Sequence, residues 1–412
     1  MSATESHDTM LTVDAARARM RALGAAHPLG TEDVPLAQAF GRVLALDAIA
    51  PQDVPGFVNS AMDGFAVRAA DLRGDAETVL TLAGEIFAGG ASAPMVAPGT
   101  CVRITTGAPL PPGADTVVMK ENTRADGARI AIAPGTPLGA NVRAAGEDYR
   151  AGDLALRAGQ RLAPAHVAIL AAFGCTAARV RVRPTAVLLT TGDELTEPGL
   201  ALGFGGIYDS NRFSLGGLLE QHGVALLRHE RLRDDPAVLR DALARAGRDA
   251  DLVLSSGGVS AGEADFLPRL VAEIGRVHFW KVRMKPGMPF LCGAIGRALV
   301  CALPGNPVSG VATFLALVRP ALEAMSGVAP RPGALRARLR NAVFKRHARA
   351  EFQRARLDSD ADGTLWATPH EKQGSGMLRG VAETDALVLL PEDGHEFAAG
   401  DVVDVLPLPS WP

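Results

Sequence analysis

Leu188-Leu189-Thr190-Thr191-Gly192-Asp193-Glu194, Leu254-Ser255-Ser256-Gly257-Gly258-Val259-Ser260 and Leu303-Pro304-Gly305-Asn306-Pro307 share one pattern: an apolar run that breaks off into a glycine-bearing loop. Around them the texture alternates, strand-like at 186–190, 224–230, 252–255 and 277–282, helix-like at 212–222, 236–246, 266–274 and 308–325. Alternation of this kind is the signature of a parallel sheet covered by helices. In an open parallel sheet the loops after the strands emerge together at the carboxyl edge, where ligands bind. Their backbone N–H groups, and the helix N-termini behind them, hold anions without any net positive charge. One such loop reads as a tight turn. Three together, two of them flanked by Ser or Thr hydroxyls, point to a phosphate or oxyanion site.

Acidic residues stand beside these loops: Asp193 and Glu194, Glu263 and Asp265, and the pair Asp234-Asp235. Carboxylates next to a phosphate cradle repel the ligand unless a divalent cation lies between them, and Mg²⁺ uses one or two carboxylates plus substrate phosphates. The pattern therefore points to magnesium-assisted phosphate chemistry. Asp234-Asp235 precedes Pro236, so a helix N-cap explains that pair equally well. Lys281, Arg283 and Lys285 alternate in Trp280-Lys281-Val282-Arg283-Met284-Lys285-Pro286-Gly287, which on a strand gives one cationic face. Such a face suits a polyanion, although protective lysines on an edge strand give the same pattern.

Outward from this segment the texture changes. Thr12 to Gly24 reads as a helix with a Thr cap and a terminal Gly, Pro35 to Leu46 as a second helix, and Pro164 to Phe173 as a third. Between them, short β-type runs at 78–82, 101–105, 116–119 and 128–132 are separated by Gly and Pro, with a hairpin turn at Asp126-Gly127. An all-β insert within a discontinuous domain follows. After Pro330 the texture is β again and ends in runs at 386–390 and 402–406, as in a small barrel or sandwich. Arg336, Arg338 and Arg340 open a basic run, and their alternation marks the solvent face of a strand.

The 412 residues exceed what one core supports, and 48% hydrophobic against 21% charged residues excludes a disordered or fibrous chain. The 45 glycines and 28 prolines imply much tight turn. The longest apolar runs, 167–174 and 311–318, fall well short of the roughly 20 residues of a membrane span. A net charge of −3 argues against a nucleic-acid partner. Cys101, Cys175, Cys292 and Cys301 show no CxxC pairing and sit in apolar contexts, as reduced core residues do. With a polar, leaderless stretch at 1–10, the expectation is a cytoplasmic protein that engages no membrane.

Eight motifs in order, Asn59 to Val67 (NSAMDGFAV), Arg103 to Pro111 (RITTGAPLP), Gly139 to Asp148 (GANVRAAGED), Thr191 to Leu195 (TGDEL), Ile207 to Arg212 (IYDSNR), Ser255 to Asp265 (SSGGVSAGEAD), Lys285 to Phe290 (KPGMPF) and Leu303 to Ser309 (LPGNPVS), resemble the molybdopterin molybdenumtransferases. This is the MoeA family, to which the E domain of gephyrin is similar. The resemblance spans almost the whole chain. It implies an α/β plus β fold: a discontinuous elongated domain (8–50 with 142–182), an inserted β domain (51–141), a MogA-like α/β parallel-sheet domain (183–329) and a C-terminal β barrel (330–412). It also implies a homodimer with the site cleft between subunits, adenylated molybdopterin and molybdate as substrates, release of AMP, and Mg²⁺. As a further partner the resemblance suggests the molybdopterin adenylyltransferase.

By the same resemblance Asp63, Thr106, Asp148, Glu194, Asp234 and Asp265 are catalytic, and Glu194, Asp234 and Asp265 hold the metal. Lys281, Lys285, Pro304 and Pro307, with Arg354 and Ser375 from the C-terminal part, join the loop residues Thr191, Gly192, Ser256, Gly257, Gly258, Gly305 and Asn306 in binding substrate. Val58 stands where the family commonly has Asp, Met288 where Lys is frequent, and Phe65 where Tyr is usual. A pterin-binding scaffold without turnover is the second reading, and an adenylyltransferase the third.

Overall fold

The computed structural model describes residues 10–90, 92, 94–259, 266–329 and 334–408. Its central sheet has six strands in the order Ala225–Leu232, Thr185–Thr191, Leu252–Ser256, Ala298–Leu303, Leu291–Ile295 and Arg276–Trp280. The first four and the last run in one direction, and Leu291–Ile295 alone runs against them. Side chains alternate across a strand, so Ala186 and Leu188 enter one core with the helices Asn211–Gln221 and Pro307–Thr313. Val187 and Leu189 enter the other, with Pro236–Asp249 and Leu267–Ile274. Both faces are covered, and for that reason the strands read as continuous apolar runs.

The helix after the third glycine loop continues from Pro307 to Met325 through a π-helical stretch, Phe314–Val318. Its mean hydropathy of 1.4 over a membrane-spanning length comes from its place in the core, where 83% of it is buried. The first helix, Val13–Ala25, is capped by Thr12, whose hydroxyl accepts from the Ala15 N–H. It lies so close to Arg319–Met325 that a Cβ on Gly24 would stand 2.1 Å from the Ala321 carbonyl oxygen.

Thr31–Pro35 pairs with Ala177–Arg181, and Ala48–Ile49 with Leu154–Leu156, so the chain before the insert is joined to the chain after it. The insert forms a six-stranded sheet in the order Thr116–Met119, Gly64–Val67, Thr100–Ile104, Thr78–Ile86, Arg129–Ile132, Thr123–Asp126. The C-terminal strands Leu335–Leu339, Leu365–Pro369, Ala350–Ser359, Ala386–Leu390 and Val402–Pro407 close into a five-stranded barrel, because Ala350–Ser359 pairs with both Leu365–Pro369 and Ala386–Leu390.

Three expectations are corrected. The helix expected at 35–46 is absent: Leu36–Gln38 forms a single 3₁₀ turn, Gly41 takes φ +71, and Val43 and Leu44 bridge to Arg161 and Val180. Pairing with the returning chain outweighs local helix propensity there. Cys175 is exposed, unlike the other three cysteines. Within the basic run Arg336 and Arg338 do face solvent, but Lys345 and Arg354 are 1% and 0% exposed.

Candidate functional site

The three glycine loops meet at the carboxyl edge of the sheet. Gly257 sits so tightly on the end of the neighbouring strand that a Cβ would lie 2.6 Å from both the carbonyl oxygen and Oγ1 of Thr191, at φ +99. The Gly257 N–H donates to the Leu303 carbonyl at 3.0 Å. Asn211, at the start of its helix, donates from Nδ2 to Ser256 Oγ at 2.8 Å and to the Gly305 carbonyl at 2.7 Å. Thr191 Oγ1, Asn211 Oδ1 and Ser255 Oγ are buried without a hydrogen-bond partner. Buried polar atoms are ordinarily satisfied, so orphans at a sheet edge mark places that water or a ligand fills.

Beneath the loops lies a buried network that the sequence reading missed. Thr190 Oγ1 donates to Asp209 Oδ2 at 2.6 Å and stands 2.8 Å from His229 Nε2, while the Arg212 N–H donates to Asp209 Oδ1 at 3.1 Å. Burial pushes the Asp209 carboxyl up, but the bonds from His229, Thr190 and Arg212 outweigh it and leave it below its ordinary value. Asp209 thereby holds the turn that delivers Asn211. The IYDSNR stretch carried the signal, since an Asp two residues before a helix-starting Asn is a positioning candidate.

The acidic residues divide. Asp235 is the N-cap of Pro236–Asp249 and accepts from the Ala237 and Val238 N–H groups, so the capping explanation holds for that residue. The Asp234 N–H donates to Asp193 Oδ1 at 3.4 Å, which brings the second strand's loop against the first. Glu194 folds back over Gly192, with its carboxylate within 3 Å of where a Cβ would stand. Ser260, Glu263 and Asp265 lie outside the described residues. Among the described residues no three His, Cys, Asp or Glu side chains are close enough to hold a metal ion.

In the insert, the exposed Asp63 accepts from the Thr106 N–H at 2.8 Å and from its hydroxyl at 2.9 Å. These two bonds hold the Asp63 carboxyl below its ordinary value. Asp148 is also exposed, and its N–H donates to the Val54 carbonyl at 3.0 Å.

The expected cationic strand face at 281–285 does not form. The strand ends at Trp280, and Lys281 turns through φ +67 with its ammonium over the Trp280 ring, 4.4 Å from the centroid. Met284–Lys285 then leaves the α/β sheet and pairs with Ala350–Glu351 of the barrel. Lys285 Nζ pairs with the buried Glu351 at 3.1 Å. Gly287 packs against Thr313, so this loop rests on the helix that begins after Pro304-Gly305-Asn306. The buried Arg354 donates from Nη1 to the Met377 carbonyl at 2.9 Å and from Nη2 to the Lys372 carbonyl at 2.6 Å, which shapes the loop containing Ser375. Its Nε has no partner. The Ser375 carbonyl accepts from the Val308 N–H at 3.1 Å, docking that loop on the first turn of the helix from Pro307.

These features define a class: a multidomain α/β protein whose glycine-loop edge, lysine loop and barrel are joined through the helix that begins at Pro307. Residues 11–174 match the MoeA N-terminal region (domain I and II), 187–324 the probable molybdopterin binding domain, and 336–408 the MoeA C-terminal region (domain IV). The chain is 36% identical to the molybdopterin molybdenumtransferase of Haemophilus influenzae over 97% of its length and 98% of that protein's. It is 37% identical to molybdopterin molybdenumtransferase 2 of Mycobacterium tuberculosis over 90% of its length and 94% of the relative's. The crystal structure of the molybdopterin biosynthesis moeA protein from Pyrococcus horikoshii superposes with a TM-score of 0.82 at 29% identity, covering 97% of this chain and all of that one. The chain belongs to the molybdopterin molybdenumtransferase (MoeA) family.

Proposed function

We propose that the protein inserts molybdate into adenylated molybdopterin and releases AMP, in molybdenum cofactor biosynthesis. The observation that carries this reading is the convergence at one edge of three glycine loops, three orphaned polar atoms and the lysine loop. Backbone N–H groups of the loops around Gly192, Gly258 and Gly305–Asn306 hold the phosphates, Gly257 shapes the turn with its own N–H given to Leu303, and Thr191 and Ser256 border them. Lys281 holds oxyanion oxygens as a point charge, and Lys285, which gives one of its three N–H donors to Glu351, turns the others to the same ligand. Arg354 offers its unpartnered Nε next to the Ser375 loop, while Pro304 and Pro307 fix the approach to the helix. Asp63 and Thr106 act from the insert, and Asp148 from the chain that returns after it, across a cleft. Glu194 and Asp234, with Asp265, present only carboxylate oxygens, the donor type Mg²⁺ takes, and these three residues would hold it. When bound, Mg²⁺ would offset charge on the breaking phosphoanhydride.

We also propose the four-unit division at 8–50 with 142–182, 51–141, 183–329 and 330–412, which the pairing of strands across the insert supports. A homodimer is supported by the exposed apolar side chains Leu200, Phe204, Ile207 and Phe213 along one stretch beside the edge, which a second copy would cover. A cytoplasmic location is supported by four free cysteines. The adenylyltransferase that makes the substrate would hand it over.

The test is AMP release from adenylated molybdopterin with and without molybdate. Molybdate-dependent release is expected, falling about a hundredfold in Glu194→Ala and Asp265→Ala, the scale on which one preorganised electrostatic group acts. Pterin binding without molybdate-dependent release would identify a scaffold instead, and full activity in both variants would remove the assigned carboxylate roles.

A further inference from the structure

The seam between the lysine loop and the barrel gathers four cations, and three are already engaged. Lys285 is paired with Glu351, Arg283 with Glu392 at 2.8 Å, and the buried Lys345 ammonium donates to the carbonyls of Arg349, Pro391 and Glu392. Arg349 differs. It is half-buried, makes no ion pair among the described residues, and directs Nη1 only at the thioether of Met288, 3.7 Å away. A thioether sulfur is a weak acceptor and leaves the guanidinium charge almost uncompensated.

Its position is fixed from both sides. The Arg349 carbonyl accepts from Lys345, and the next residue, Ala350, donates its N–H to the Arg283 carbonyl at 3.0 Å, in register with Met284. Met288 follows Gly287, which lies against Thr313 in the helix whose first turn carries the third glycine loop. Burial holds His347 below its ordinary pKa; Glu351 opposes this most strongly, and Lys285, Arg349 and Lys345 add to the lowering, so these charges lie near one another. A planar guanidinium with no carboxylate partner meets two oxygens of a tetrahedral anion at once.

We propose that Arg349 is an oxyanion-binding residue of this site, supplied by the barrel to the lysine loop at the place where Met288 brings no charge. Its ligand class is a tetrahedral metal oxyanion such as molybdate, and the inference rests on reading the lysine loop as the oxyanion side of the centre. Met288 is then the position whose side chain decides whether the loop or the barrel furnishes this cation.

The experiment is equilibrium titration of the full chain with molybdate by calorimetry, with AMP release followed in parallel. Arg349→Gln should weaken molybdate binding about tenfold, as loss of one charge-assisted hydrogen bond does. Arg346→Gln, an exposed neighbour, should bind as the parent does. Met288→Lys introduced into Arg349→Gln should recover most of the loss, which a merely structural role for Arg349 would not allow. Parent-like binding by Arg349→Gln, an equal loss in Arg346→Gln, or no recovery in the double variant would overturn the proposal. Molybdate binding without AMP release would instead count against the catalytic reading and leave this one standing on its own titration. Should Arg349→Gln fold poorly, Arg349→Lys replaces it, and an unchanged affinity there, with a point charge retained but the fork lost, would rule out two-oxygen recognition.

Discussion

At the carboxyl edge of the sheet, Gly257 presses on Thr191 and Asn211, from the helix it opens, ties Ser256 to Gly305, so these contacts stay within the α/β domain. The lysine loop is held by three separate parts of the molecule. The Arg283 N–H donates to the Leu11 carbonyl, the Lys281 N–H to that of Phe290, and Met284–Lys285 runs beside Ala350–Glu351 of the barrel. The edge therefore supports itself wherever the sheet forms, whereas the loop takes its shape only after barrel and N-terminal segment have docked. Under the proposed function, phosphate binding and oxyanion binding thus stand on foundations of different stability, and one can be lost without the other.

The strongest way to break that contrast is Gly257→Ala. A Cβ 2.6 Å from the Thr191 backbone, at φ +99, adds a clash to an unfavourable conformation, and a stability loss of about 3 kcal/mol is expected in denaturant titration. A loss below about 1 kcal/mol would show that the edge can shift, contrary to the self-supporting picture. Asn211→Ala comes next: removing both bridging bonds should cost about 2 kcal/mol and weaken AMP binding, with the lysine loop unaffected in hydrogen exchange. If protection in the lysine loop fell as well, the two regions would be one cooperative unit. The smallest effect is Lys281→Gly. Glycine accepts φ +67 without strain but gains freedom in the unfolded chain, so stability should change by no more than about 1 kcal/mol while molybdate affinity drops. Unchanged affinity would remove Lys281 from the anion site.

The same contrast explains what could be read in advance. The strand runs at 186–190 and 252–255 and the loops after them were legible because burial on both faces and turn chemistry are local signals. The helix from Pro164 was legible for the same reason, with Pro at its start and Gly174 at its end. Lys281, Arg283 and Lys285 looked like one strand face, since spacing by two says nothing of a residue at positive φ between two sheets. The span 35–46 has helical composition, yet its hydrogen bonds go to partners more than a hundred residues later, where composition gives no hint. Asp209 and His229 lie outside the glycine loops, and only folding places them under Thr190.

By itself the amino-acid order determined the parallel sheet, the glycine loops at its carboxyl edge and the β nature of the flanking segments. Each follows from side-chain period and turn residues over a dozen positions or fewer. Tertiary structure alone decided which charges are available. Lys285, Arg283 and Arg349 are equally cationic in sequence, but Glu351 and Glu392 engage the first two and leave Arg349 facing Met288. Charge is a property of a residue, whereas compensation depends on which carboxylate the fold brings within a few ångströms.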